Sequence, residues 1–243
     1  MNAGRTARER ARAELSDEIK SVARRQLATV GAEGLSLRAV SRELGMVSSA
    51  LYRYFPSRDD LLTVLIIDAY DALGEAAESA AEKSGASFAV GKGEAAGAWD
   101  PLQTWVAVFS AVRAWARANP QEYALIYGSP VLGYQAPQTT VQPAIRVPLL
   151  MVALLQQAHT EGRLAALEDA PEPTGVLAEQ VAVLVALAPG LPPRLLLRMM
   201  IVWTQLFGMI SFELFGQLVG SMDPADEFFD SATRQMAAFV GLS

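Results

Sequence analysis

The sequence predicts an all-α protein: a small N-terminal unit of three helices, joined by a fourth helix to a larger helical bundle. Three observations predict it. Apolar residues recur at the three-and-four spacing of a buried helix face along most of the chain. No run shows the sustained period-2 alternation of a half-buried strand. Glycine, proline and short polar capping residues stand at the ends of the periodic runs. The 243 residues, 51% of them apolar, are enough for one small and one medium domain with a sizeable core.

The first helix is expected from about Arg8 to Val30, with Leu15, Ile19, Val22, Ala23, Leu27 and Val30 as its apolar stripe and Gly31 and Gly34 at its end. Ser36 is a good N-cap for a short second helix, Leu37 to Leu44, stopped by Gly45. Ser48 or Ser49 is placed to cap a third short helix that ends near Phe55, before Pro56. Ser57-Arg58-Asp59-Asp60 is a capping-box-like start for a long fourth helix over 57–82, with a stripe of Leu62, Leu65, Ile66, Ala69, Leu73 and Ala76.

Residues 84–98, rich in Gly and Ala, read as a linker or loop. Asp100-Pro101-Leu102-Gln103 opens a helix to about Ala118, and Asn119-Pro120-Gln121-Glu122 repeats the device for a short helix ending near Gly128. After a loop from Ser129 to Pro137, a helix from about Gln138 to Glu161 is expected to be kinked or restarted by Pro143 and Pro148. Three further helices follow, at Gly175 to Leu187, Pro193 to Leu218, and Pro224 to Val240 with Asp223 as the cap.

Charge is divided unevenly. Residues 1–60 hold 11 basic and 8 acidic side chains, a net +3, while residues 61–243 hold 9 and 18, a net −9, within a total of −6. Arg5, Arg8, Arg10 and Arg12 form a basic N-terminal arm, suited to phosphates or simply a solvated tail. That arm is polar, with no apolar core of a signal peptide, and a cytoplasmic protein is expected. The longest apolar stretch, Met199 to Phe212, is shorter than the roughly 20 residues of a spanning helix, so it reads as a buried helix and no membrane partner is expected.

Catalysis finds no foothold. With one histidine and no cysteine, His-metal clusters, thiolate sites and Cys nucleophiles are excluded. No serine sits in a Gly-x-Ser-x-Gly elbow, and no Gly-rich phosphate loop lies between strand and helix. Neither an enzyme, nor a cofactor, nor a metal site is expected.

Two short helices separated by a Gly-containing turn make a helix-turn-helix. The second, Ser48 to Tyr54, has Leu51 and Phe55 for packing and Ser48, Ser49, Tyr52, Arg53 and Tyr54 on its other face. Hydroxyls and a guanidinium there suit base edges and phosphates. An ordinary αα-hairpin with a polar surface fits the spacing equally well.

The wording of the segment adds to this. Residues 34–45, GLSLRAVSRELG, followed by residues 50–61, ALYRYFPSRDDL, resemble the DNA-binding domain of the TetR family. The resemblance covers about residues 12–66 and implies a domain over 1–60 that binds DNA, with residues 61–243 forming a ligand-binding and dimerisation domain. It implies that Ser48, Ser49 and Ala50 meet base edges and that Tyr52 meets a phosphate. It implies that Arg53 and Tyr54 touch base or backbone, that Ser36 and Arg38 reach DNA from the preceding helix, and that Arg58 meets phosphate at a helix N-terminus. Val47 and Ser41 depart from the family's usual capping residue and alanine. The small triplet Ser48-Ser49-Ala50 leaves Arg53, water or DNA shape to carry specificity.

Tyr127 to Tyr134 and the Trp203, Gly208, Phe212-Glu213 pattern resemble an actinobacterial-type subgroup of that family. The resemblance implies a repressor of a palindromic double-stranded operator, released by an apolar small molecule. Trp105, Phe109, Trp115, Tyr123, Tyr127, Tyr134 and Trp203, with Gln156 or His159 as polar contacts, are candidate pocket residues. The helix around Met199 to Phe215 is apolar on nearly all sides and so must be enclosed, by a second subunit or by a monomer's own core. A homodimer interface is expected at Met199, Trp203, Phe207, Ile210, Phe228 and Met236. The competing class is a dimeric helical small-molecule binding module without sequence-specific DNA binding.

Overall fold

The computed structural model describes residues 7–86, 99–167 and 171–242, and among these every regular element is a helix. In order the α-helices are α1 (Ala7–Val30), α2 (Leu37–Glu43), α3 (Ser48–Leu51), α4 (Arg58–Lys83), α5 (Pro101–Ala118), α6 (Pro120–Tyr127), α7 (Val141–Ala144), α8 (Arg146–Thr160), α9 (Gly175–Leu187), α10 (Pro193–Leu214) and α11 (Asp226–Phe239), and a 3-10 turn, Gln138–Thr140, precedes α7. Arg5 and residues 87–98 of the expected linker lie outside the described residues.

The chain divides into two compact units: residues 1–70 with 119–144, and residues 71–118 with 145–243. The first unit is drawn wider than the division expected at residue 60. Its core joins Ile19, Val22 and Leu27 of α1 to Leu37 and Val40 of α2, Leu51 of α3, and Leu61, Leu62 and Leu65 of α4, with Leu125, Val131 and Tyr134 packed on it. Charge ties the same helices. Arg24 bonds Asp68 of α4 (2.7 Å) and Glu122 of α6 (2.8 Å), and Lys20 also reaches Asp68 (3.1 Å). Burial works against the charge on Lys20, but its hydrogen bonds to Asp17 and Asp68 outweigh it and raise its pKa.

In the second unit α10 packs against α5, α8, α9 and α11. Trp105 and Phe109 of α5 stack at 4.3 Å between ring centroids, both fully buried. Arg113 is also buried and charged: it makes paired bonds to Glu213 (2.7 Å each) and one to Asp226 (2.9 Å), with its guanidinium over the Phe229 ring. Two carboxylates thus compensate the buried charge and take up three of its five N–H donors. α10 is long and apolar enough to cross a membrane by length and composition, and its buried face is the core of this unit.

Several boundaries differ from expectation. α10 ends at Leu214, four residues early, because Gly216 closes it: the Gly216 amide donates to the Glu213 carbonyl and the Gln217 amide to that of Phe212. Asp223 does not cap the last helix, which starts at Asp226 with Ala225 at the N-cap position. Asn119 fills its N-cap position without a side-chain cap bond. The expected 138–161 helix is interrupted at Ile145. Pro148 falls in the first turn of α8, where no intrahelical donor is lost.

Candidate nucleic-acid interface

The α2–α3 pair is built by local chemistry. The Ser36 hydroxyl oxygen accepts from the Ala39 amide at 3.4 Å, starting α2. Gly45, at φ +65°, ends it: its own amide donates to the Arg42 carbonyl and the Met46 amide donates to Ser41. A side chain at that φ would be strained, so glycine sets the reversal that delivers α3. Leu51, fully buried, and Phe55 pin α3 to the core. Its α-helical span is only Ser48–Leu51, though backbone bonds continue in a tighter turn to Phe55.

Pinning one face leaves the other in solvent. Arg38, Ser49, Tyr52 and Arg53 are exposed, Tyr52 by 40%, while Ser36, Ser48, Ala50 and Tyr54 are half-buried. Arg8, Arg10 and Arg12 lie exposed on the first turns of α1, and the Arg12 guanidinium stands 5.7 Å from the centre of the Tyr54 ring. A cationic helix end thus flanks the far end of α3, a juxtaposition of residues 42 apart that no local sequence pattern signals.

Two expectations change in detail. Val47, not a serine, is the N-cap of α3, and it makes no side-chain cap bond. Ser48 is the first helical residue, and its hydroxyl meets that of Ser41 at 3.0 Å. Arg58 donates to the carbonyls of Ala32 (2.7 Å) and Glu33 (3.4 Å) and lies 3.5 Å from Asp59. Its guanidinium is thus engaged with the turn that follows α1. The start of α4 is otherwise as expected, with Ser57 accepting from the Asp60 amide at 3.0 Å.

The aromatic candidates divide between the units. In the first, Tyr123 is fully buried, the Tyr127 ring lies tilted 5.3 Å from it and edge-on 6.0 Å from Tyr70, and Tyr134 shares a hydrogen bond with Thr63 (2.9 Å). Burial raises the pKa of Tyr127, so that phenol stays neutral. In the second unit are Trp105 and Phe109, in the core, and half-buried Trp115 and Trp203. Gln156 donates to the Pro189 carbonyl at 3.0 Å, and His159 is exposed on the last turn of α8. The Trp203 indole N–H and the hydroxyls of Thr104 and Thr233 are buried with no hydrogen-bond partner among the described residues. Nothing in the sequence singled out the two threonines, since each is one small polar residue on a helix that carries other polar side chains.

Of the residues expected at a dimer face, Met199, Phe207, Ile210 and Met236 are buried inside the single chain, and Trp203 and Phe228 are half-buried. The outward face of α10 is Ile201, Thr204, Gln205 and Phe212, with Ile201 49% and Phe212 55% exposed; exposed Phe215 follows at its C-cap. Open space surrounds Gly208.

An exposed short helix held by a tight turn on a three-helix core is the architecture of a helix-turn-helix DNA-binding protein. Comparison with known proteins agrees. Residues 19–65 match the family model for bacterial regulatory proteins of the tetR family, and residues 105–236 match that for the tetracyclin repressor-like C-terminal domain. The chain is 38% identical over 234 residues to the HTH-type transcriptional regulators Mb1846 of Mycobacterium bovis and Rv1816 of Mycobacterium tuberculosis, covering 95% of this chain and 94% of each relative. The crystal structure of SCO4313 superposes with a TM-score of 0.71 at 33% identity, covering 96% of this chain and 100% of that one. The chain belongs to the TetR family of transcriptional regulators.

Proposed function

We propose that the protein is a homodimeric, cytoplasmic repressor that binds a palindromic operator through α2 and α3 and leaves it when an apolar small molecule enters the helical domain. The observation that carries the DNA reading is the pinned α3, with Leu51 and Phe55 inside and Ser49, Tyr52 and Arg53 outside. The exposed hydroxyls and guanidinia of α2 and α3 suit base edges and phosphates. Repression is the outcome that family membership supports.

The outward face of α10 supports the dimer, since solvent-exposed Ile201 and Phe212 on one helix face call for a cover. A twofold protein suits half-sites about 34 Å apart or a multiple of it. The buried, unpartnered polar atoms of Thr104, Trp203 and Thr233 among apolar side chains support a mostly apolar ligand with a few polar groups. α4 begins in the DNA-binding unit and ends in the other, so a ligand that favours one position of α4 shifts operator affinity by its differential affinity for the two states.

The small triplet Ser48-Ser49-Ala50 favours a second reading, a ligand-binding module without sequence-specific DNA binding. Footprinting on DNA upstream of the protein's own coding sequence, at low and moderate salt, separates the two. A twofold-symmetric protected region is expected for the repressor, and absence of protection at both salts favours the module.

A further inference from the structure

We propose that buried Ser41 is a positioning residue that fixes the hydrogen-bonding polarity of Ser48, making Ser48 an acceptor that reads an amino-bearing base edge. The inference rests on the DNA reading above. Ser41 is 2% exposed, and its hydroxyl lies 3.0 Å from the Arg38 carbonyl and 3.0 Å from the Ser48 hydroxyl. A carbonyl has no proton to give, so Ser41 donates to Arg38. A serine has one hydroxyl proton. At its second contact Ser41 therefore accepts, and Ser48 donates.

The consequence falls on the solvent side. Ser48 is the first residue of α3, half-buried, with its proton directed inward at Ser41. Its remaining lone pairs are what a ligand on the open side meets. In the major groove adenine N6 and cytosine N4 donate, whereas guanine O6 and thymine O4 accept. An acceptor-only Ser48 matches the first pair and opposes the second. Turning the hydroxyl around to suit guanine or thymine breaks its bond to Ser41, so preference at the contacted position is about fivefold, the worth of one neutral hydrogen bond.

Selection of bound duplexes from a randomised pool, with the unaltered protein, Ser41→Ala and Ser48→Ala, tests this. The unaltered protein is expected to favour A or C at one position in each half-site, on the strand whose base edge Ser48 meets. Ser41→Ala frees the Ser48 proton, so guanine and thymine become accepted there while preferences elsewhere and the salt dependence of binding are kept. Ser48→Ala, a change on an exposed element, flattens the same position even if Ser41→Ala proves too unstable to use. An unchanged base preference in folded Ser41→Ala, or a position flattened by Ser48→Ala that originally favoured G or T, overturns the inference alone. Enrichment of no sequence by the unaltered protein overturns the DNA reading, and the inference with it.

Discussion

Arg146 lies directly across Gly74: a Cβ at that glycine would stand 2.6 Å from the Arg146 Nε and 2.9 Å from its Cδ. The missing side chain lets the α8 arginine cross α4 and bond Glu78 (2.9 and 2.5 Å) and the Asp71 carboxylate and carbonyl (2.8 and 2.9 Å). Hydrogen bonds to Glu78 and then Asp71 raise the guanidinium's pKa against the effect of burial, so the clamp stays charged. Glycine inside a helix costs about 1 kcal/mol relative to alanine, so α4 carries a local cost to hold this contact. Gly74→Ala is expected to destabilise the protein. In an Arg146→Ala background the same change is expected to cost less, since only the Cβ of residue 146, 3.0 Å from the added Cβ, still stands in the way. Urea unfolding midpoints of the four variants measure this difference, and an equal cost in both backgrounds would show that the Arg146 side chain is not what Gly74 makes room for.

The outward α10 face makes a separate prediction. Ile201→Glu with Phe212→Glu places two charges on side chains that are half-exposed in the single chain. The variant is expected to keep its helical circular dichroism and sediment as a monomer. Met199→Glu, by contrast, buries a charge where the side chain is 2% exposed, and loss of fold is expected. A double variant that remains dimeric would place the interface elsewhere.

Asp226 provides a pH dependence. Its hydrogen bond with Arg113 holds the carboxyl below the ordinary carboxylate range, with Arg117 adding a smaller contribution. A carboxylate lowered in the folded state stabilises the fold above its unfolded value and ceases to as pH falls through its folded value. The Tm difference between the unaltered protein and Asp226→Asn is therefore expected at neutral pH and vanishes only below about pH 4. A difference that grows on acidification would contradict the pairing.

Much of the fold was legible because it is set by short-range chemistry. Ser36, Ser57 and Asp100 each cap the helix they precede through a backbone amide two or three residues away, and a sequence window contains both partners. α9 matches its expected bounds, Gly175–Leu187. What escaped is long-range, or lacks a pattern. The Arg58 bond to Ala32 spans 26 residues, and the Ser41–Ser48 bond depends on how the Gly45 turn sets α3 against α2. Which side of α10 the chain itself buries was not legible either, because α10 is apolar nearly all round. Such a helix announces that it is enclosed without saying which side its own chain encloses.

That the open face of α2 and α3 holds DNA is tested most directly by titrating an operator duplex at several salt concentrations. Arg38→Ala is expected to weaken binding and reduce the salt slope by about 0.9 for each phosphate per duplex that is no longer neutralised. Tyr52→Phe, which removes only a hydroxyl, is expected to weaken binding several-fold with the fold intact. Affinity and salt slope unchanged in both variants would contradict DNA binding through this face.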